Sequence, residues 1–175
     1  MFFMFAINDV ICYGTQGVCT VMGTVKQKIG GAVQEYYVLK PYFEHNASVY
    51  VPLNNENLVR KMRPCLTAEE VGRVILLMAQ TQGEWIEDDL DRKEQFGKIT
   101  ASGDVYELAR MICNIHLHAV DRKEAGKNLH LADERAQKEA EKLLFDEFAY
   151  ALGMQPKDIL PYLLQQINDI RHSDQ

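Results

Sequence analysis

Cysteine and histidine are the residues in this chain that could bind a metal ion or carry out nucleophilic catalysis. The four cysteines are Cys12, Cys19, Cys65 and Cys113. No two of them have Cys-x-x-Cys spacing, so we expect reduced, packed thiols. Cys113 and His116 can share one helix face, whereas His116 and His118, two positions apart, point to nearly opposite sides. Because nucleophile, base and orienting group cannot all be assigned, we expect no metal ion, no cofactor and no enzymatic activity.

Trp85 is the only tryptophan, and it lies in the acidic segment Gly83-Glu84-Trp85-Ile86-Glu87-Asp88-Asp89. A structural tryptophan normally lies on an apolar stripe, but this segment offers a single apolar neighbour. An indole at the polar end of a helix suits an exposed contact with a partner. The alternative is that Trp85 folds back over a small core between helices, and the residues alone leave both open.

The residues before Pro64 have the pattern of a small β domain. Strands are predicted at 9–13, 17–25, 35–39 and 48–51. Gly30 and Gly31 supply the positive φ angles that a tight hairpin turn needs. A unit of this size with five short strands is typical of an antiparallel SH3-like or Tudor-like barrel.

The residues after Pro64 have helical periodicity. Thr67-Ala-Glu-Glu70 is a capping box that predicts the start of the first helix. Further helices are predicted at 88–99, after the cap Asp104, at 131–152 and from Pro156. The sequence therefore predicts an α+β chain, with a β domain at 1–66 and an all-α helical bundle at 67–175.

Charge is distributed unequally between the two predicted domains. Residues 1–66 hold 6 Lys/Arg and 4 Asp/Glu, and the remainder holds 13 and 21, so the domains carry +2 and −8. The acidic bundle argues against broad, non-specific DNA binding, because phosphate neutralisation supplies most of such affinity. The chain shows neither a basic leader region nor a run of about 20 apolar residues, so we expect a cytoplasmic protein without membrane association.

Three N-terminal segments resemble the RNA polymerase interaction module of the CarD/CdnL family of bacterial transcription regulators. They are Phe5-Ala-Ile-Asn-Asp-Val-Ile-Cys-Tyr-Gly-Thr-Gln-Gly-Val18, Glu35-Tyr-Tyr-Val-Leu39 and Val49-Tyr-Val-Pro52. The similarity continues in the family's order through Arg63-Pro64, the capped helix, Trp85, Ala101-Ser-Gly-Asp104 and Glu147-Phe-Ala149. It covers nearly the whole chain, from Met4 to about Leu152.

The resemblance implies a function in transcription initiation. The Tudor-like module would bind the β subunit of RNA polymerase, and the helical domain would reach promoter DNA at the upstream edge of the transcription bubble. Trp85 would act there as a wedge that opposes reannealing and prolongs the open promoter complex. Some members have arginine where this chain has Ile86, and another arginine where it has Tyr50. These departures concern the DNA footprint more than the fold.

The predicted polymerase-binding residues lie at an exposed strand edge around Ser48 to Pro52 and on the neighbouring hairpin. They are Tyr50, Val51, Pro52, Lys26 and Lys28. An edge strand offers unpaired backbone groups, Pro52 limits self-pairing, and the lysines steer the module toward an acidic partner. The alternative is a plain hairpin with solvated lysines.

The predicted DNA-contacting residues are Trp85, Arg92 and Lys93, with the two basic residues as phosphate anchors. A second hypothesis retains protein binding by the Tudor-like module but involves no direct contact with DNA. In that case the protein is an adaptor between proteins, and the acidic helices form its second protein-binding surface.

Overall fold

The computed structural model describes residues 5–44 and 47–173. The chain forms two compact units, Met1–Cys65 and Leu66–Gln175. The division falls one residue before the boundary that the sequence predicts.

The N-terminal unit is a five-stranded antiparallel sheet. Its strands are β1 (Val10–Tyr13), β2 (Gly17–Ile29), β3 (Ala32–Pro41), β4 (Val49–Pro52) and β5 (Met62–Pro64). Their spatial order is β4-β3-β2-β1-β5. A 3-10 turn at Gly14–Gln16 joins β1 to β2, and the short helix α1 (Glu56–Val59) lies between β4 and β5. The predicted Tudor-like β domain is confirmed.

The β2–β3 hairpin is longer than the apolar pattern predicts. Pairing continues to Ile29 opposite Ala32, and Gly30 and Gly31 close the turn with φ of 61° and 88°. Both angles are positive, as a two-residue turn of this kind requires. The added residues at the hairpin end are mostly exposed, so backbone pairing rather than burial holds them.

One face of the sheet carries the core of this unit. Its buried side chains are Ile11, Cys19, Val21, Tyr37, Leu39, Val51 and Met62. In β3 the buried Tyr37 and Leu39 alternate with the half-buried Tyr36 and Val38. This alternation places Tyr36 and Val38 on the outer face of the sheet.

The C-terminal unit is a bundle of five helices in the described residues. They are α2 (Ala68–Gln80), α3 (Asp89–Ser102), α4 (Val105–Glu124), α5 (Leu131–Leu152) and α6 (Pro156–Ser173). Thr67 and Glu70 form the predicted capping box. Gly103 ends α3 with φ of 66°, about one turn after the predicted end, and Gly153 ends α5 with φ of 65°. The predicted α+β architecture is confirmed.

Helices α2, α4, α5 and α6 supply most of the bundle core. Fully buried side chains include Val71 and Val74 of α2, Ile115 of α4 and Phe148 of α5. Helix α3 packs on α4 and α5, and its buried side chains are Arg92 and Phe96. In the part of the chain that the structure describes, no helix is long and apolar enough to span a membrane.

Candidate functional site

The segment that carries Trp85 joins α2 to α3 and follows a fixed path without regular structure. The N–H of Glu84 donates to Asn114 Oδ1 at 3.0 Å. Gly83 has φ of 88°, and a Cβ atom built on it would lie 3.0 Å from Leu117 Cδ1. A glycine is therefore needed here for both its backbone angle and its lack of a side chain. The hydrogen bond to Asn114 holds the segment against α4 immediately before Trp85.

The indole of Trp85 packs against three side chains of the bundle. It stacks on the His118 imidazole with ring centroids 3.6 Å apart and planes 8° apart. Phe96 meets it edge-on at 6.2 Å, and Arg92 Cζ lies 4.6 Å from the ring centroid, within cation–π range. Trp85 is half-buried, with its ring packed on side chains of α3 and α4.

The indole N–H of Trp85 reaches solvent. It has no acceptor among the residues that the structure describes, yet no buried side-chain nitrogen or oxygen there lacks a partner. The nitrogen is therefore accessible. Trp85 thus combines packed ring contacts with a free hydrogen-bond donor at an exposed edge.

Arg92 acts as a clamp, because its guanidinium links the segment after Trp85 to Asp133 of α5. Its Nε and Nη2 donate to Asp133 Oδ1 and Oδ2 at 2.9 and 3.1 Å, and Nη2 also donates to Asp89 at 2.6 Å. Its Nη1 donates to the carbonyl oxygens of Ile86 and Glu87 at 2.8 and 3.3 Å. The carboxylate of Asp133 raises the pKa of Arg92 further above its usual range.

This geometry changes the role assigned to Arg92. A guanidinium has five N–H donors, and the acceptors described above engage all of them. Arg92 is only 4% exposed. It therefore has no donor for a DNA phosphate, and we reassign it from phosphate anchor to structural clamp.

Lys93 is exposed, and it lies beside basic residues that the sequence analysis missed. Lys93, His130 and Arg135 all line a groove of about 480 Å³ between α3 and α5. Arg135 lies far along the chain from Lys93, so helical periodicity within one element could not bring them together. The small Ala132 and Ala136, which also line the groove, were the available signal for a close approach of α5.

The surroundings of Trp85 remain acidic. Glu84, Glu87, Asp88 and Asp91 are all exposed. The pKa of Asp89 is held below its usual range, chiefly by its hydrogen bond from Arg92. Near Trp85, the exposed basic side chains of the α3–α5 groove, Lys93 and Arg135, are the groups suited to a polyanion.

His118 packs against the Trp85 ring. Among the described residues, no group of three or more His, Cys, Asp or Glu side chains could hold an ion. His118 instead stacks on Trp85. Burial, followed by the positive charge of Arg122, lowers the pKa of His118 and so favours its neutral imidazole.

In the described residues β4 is an edge strand of the sheet, and the predicted polymerase-binding edge lies there. Tyr50 lies opposite Val38 and Pro52 opposite Tyr36, while the N–H of Leu53 donates to Glu35 O at 2.9 Å. In this register the backbone groups of Tyr50 and Pro52 point away from β3. Pro52 has no N–H to offer on that side, as expected of a proline in an edge strand.

Val51 does not belong to this edge. Its side chain is 0% exposed in the core of the unit, and its backbone faces β3 opposite Tyr37. We therefore remove Val51 from the predicted contact residues. The Tyr50 side chain is 49% exposed and accessible to a partner.

Lys26 and Lys28 are exposed on one face of the β2–β3 hairpin. Lys26 pairs across the hairpin with Glu35, whose carboxylate accepts a hydrogen bond from Thr24 at 3.0 Å. Lys28 lies opposite Val33, which is 68% exposed. The hairpin end therefore combines positive charge with exposed apolar surface.

Comparison with known proteins identifies the N-terminal unit. Residues 5–63 match the family model of the CarD-like/TRCF RID domain. No curated protein matches the chain. The match extends from Phe5 to Arg63 and covers nearly all of the sheet. The N-terminal unit is therefore an RNA polymerase-interacting domain of the CarD-like/TRCF type, and RNA polymerase is the partner that this domain indicates.

Proposed function

We propose that this protein is a non-catalytic transcription regulator that stabilises the open promoter complex. It binds the β subunit of RNA polymerase through its N-terminal unit and applies Trp85 to promoter DNA at the upstream edge of the bubble. The observation that carries the proposal is a packed indole with a free N–H, in a chain that also has an RNA polymerase-interacting domain.

The β4 edge supports the polymerase contact. Tyr50 directs its backbone N–H and C=O outward, so a strand of the partner can add to the sheet. The half-exposed Tyr50 ring and the neighbouring Pro52 add apolar contact surface. Lys26 and Lys28 supply positive charge that steers the encounter.

Trp85 supports the DNA contact. A flat apolar side chain at an opened base step opposes reannealing and offsets unstacking that costs a few kcal/mol. Lys93 and Arg135 are the basic residues of the α3–α5 groove that remain available for phosphate. With so few cations and an acidic surrounding surface, the contact is local and depends on polymerase for its affinity.

The exposed acidic side chains next to Trp85 favour a second candidate function. Glu84, Glu87, Asp88 and Asp91 suit a basic protein surface better than a phosphate backbone. In this alternative the protein is an adaptor that binds polymerase but makes no direct DNA contact. Crosslinking distinguishes the two, because only the first places promoter DNA against residue 85 in the presence of polymerase.

The deciding experiment measures the lifetime of open promoter complexes with the wild-type protein, Trp85→Ala and Trp85→Phe. Loss of about 1 kcal/mol of wedge stabilisation shortens the lifetime about fivefold, and phenylalanine retains part of the effect. Polymerase pull-down is the control, and it should not change because Trp85 lies outside the polymerase-interacting unit. An unchanged lifetime with Trp85→Ala contradicts the wedge.

A further inference from the structure

His118 presents a flat ring to Trp85 from a different element of the bundle. Trp85 lies in the segment between α2 and α3, whereas His118 is in α4. The two rings are 3.6 Å apart and nearly parallel. We propose that His118 is a positioning residue whose imidazole face sets the orientation in which Trp85 is presented to promoter DNA. This inference rests on the proposed function.

The stack restricts a side chain that would otherwise sample several rotamers. The backbone around Trp85 is held by Asn114 on one side and by Arg92 on the other, but those contacts leave the χ angles of the indole free. Ordering a side chain only on binding costs conformational free energy. A ring that is already ordered by stacking in the unbound protein loses little further conformational freedom when it binds DNA.

The clamp and the stack act together. Arg92 lies over the indole and ties the carbonyl groups of Ile86 and Glu87 to Asp133 of α5. His118 supplies the contact from α4. The indole orientation therefore depends on three helices, and loss of the His118 ring removes one support while the Arg92 clamp remains.

His118 also provides a spectroscopic test of the contact. A protonated imidazole quenches the emission of an adjacent indole, whereas a neutral one does so weakly. Arg122 on the same helix and Arg92 on α3 oppose protonation, while Glu87 in the Trp85 segment and Asp133 on α5 favour it. Burial is the largest influence and lowers the pKa, so quenching begins only below the ordinary histidine range of about 6.5.

The first experiment follows the fluorescence of the single tryptophan in the full chain. The wild-type emission falls in an acid step that lies below the ordinary histidine range, and neither His118→Phe nor His118→Ala shows this step. Acrylamide quenches Trp85 about twofold more efficiently in His118→Ala than in wild type, because the alanine uncovers a ring face. His118→Phe keeps the wild-type quenching by acrylamide. If the His118→Phe variant does not fold, the His118→Tyr variant is measured in its place. An acid step that persists in His118→Ala overturns the assigned contact.

The second experiment measures open-complex lifetime with the same variants on RNA polymerase. The lifetime shortens about threefold with His118→Ala, and His118→Phe restores it, because a flat ring is what the role requires. A wild-type lifetime with His118→Ala, where Trp85→Ala shortens it, overturns the positioning role and leaves the proposed function standing. The positioning role is also overturned if His118→Ala and His118→Phe reduce the open-complex lifetime equally and lower the melting temperature equally. A wild-type lifetime with Trp85→Ala overturns the proposed function itself.

Discussion

Arg92 and Asp133 form a bidentate ion pair between α3 and α5, with Nε–Oδ1 and Nη2–Oδ2 distances of 2.9 and 3.1 Å. Their side chains are only 5% and 7% exposed. Both Asp133 oxygens accept from one guanidinium, and the remaining guanidinium donors hold the segment after Trp85. This ion pair therefore couples the packing of α3 against α5 to the orientation of the Trp85 indole.

Removing the carboxylate of this pair should destabilise the bundle strongly. Asp133→Ala leaves the buried charge of Arg92 without its main partner, which costs about 3–5 kcal/mol. Urea denaturation measures the free energy of unfolding. The control is Glu94→Gln, which breaks the exposed pair between Glu94 and Lys98 and should change the free energy of unfolding little, because solvent screens an exposed pair. Equal losses of unfolding free energy in Asp133→Ala and Glu94→Gln would show that burial does not make the Arg92–Asp133 pair more stabilising than an exposed pair.

The edge of β4 should determine polymerase affinity. Tyr50→Glu places a charge on the free edge and should weaken binding of the RNA polymerase β subunit about tenfold or more, which is about 1.4 kcal/mol. Because Tyr50 is half-exposed, the melting temperature should change little. Surface plasmon resonance with the isolated β subunit provides the measurement.

Two further variants test the same surface. Reversing the charge of Lys26 and Lys28 should slow association more than it speeds dissociation, since exposed charges act mainly on the encounter. Leu164→Glu, at an exposed position on α6 of the other unit, is the matched control for an added carboxylate. Unchanged affinity in Tyr50→Glu would place the polymerase contact elsewhere on the N-terminal unit.

Lys93 and Arg135 should carry the salt dependence of promoter binding. Each phosphate contact contributes about one unit to the slope of log affinity against log salt concentration, so Lys93→Gln and Arg135→Gln should each flatten it by about that amount. Trp85→Ala should weaken the complex without altering the slope. The measurement is a salt titration of the ternary complex with polymerase and promoter DNA. Equal slopes in all variants would exclude phosphate contacts from the α3–α5 groove.

Thiol reactivity should separate the cysteines by their surroundings. Burial raises the pKa of Cys19 and of Cys113 to about 11. A raised thiol pKa means less thiolate, so at pH 7.5 both should react with iodoacetamide far more slowly than an ordinary cysteine, and their rates should rise as the pH approaches 11. Mass spectrometry of the alkylated peptides measures each site, and Cys65, which is half-buried like Cys113, is the comparison. Fast labelling of Cys113 in the folded chain at pH 7.5 would contradict the burial.

The sequence by itself determined the elements whose signals are local. Thr67 and Glu70 identify the start of α2, Gly30 and Gly31 identify the hairpin turn, and the apolar spacing between Leu131 and Leu152 gives α5 its bounds. Each signal concerns residues a few positions apart, where hydrogen bonding and helical or strand periodicity suffice. The resemblance of the N-terminal segments also led directly to the polymerase-interacting domain that the family model confirms.

Only the tertiary structure decided the chemistry around Trp85 and along the β4 edge. Arg92 looked like an available cation because its partner Asp133 lies 41 positions away in another helix. His118 acquires its role by stacking on the ring of Trp85, a residue far from it in the sequence. Val51 does not belong to the edge, because the strand register turns both its side chain and its backbone inward. Whether a charged or aromatic side chain is free or engaged depends on which helices and strands meet, and periodicity within one element contains no information about that.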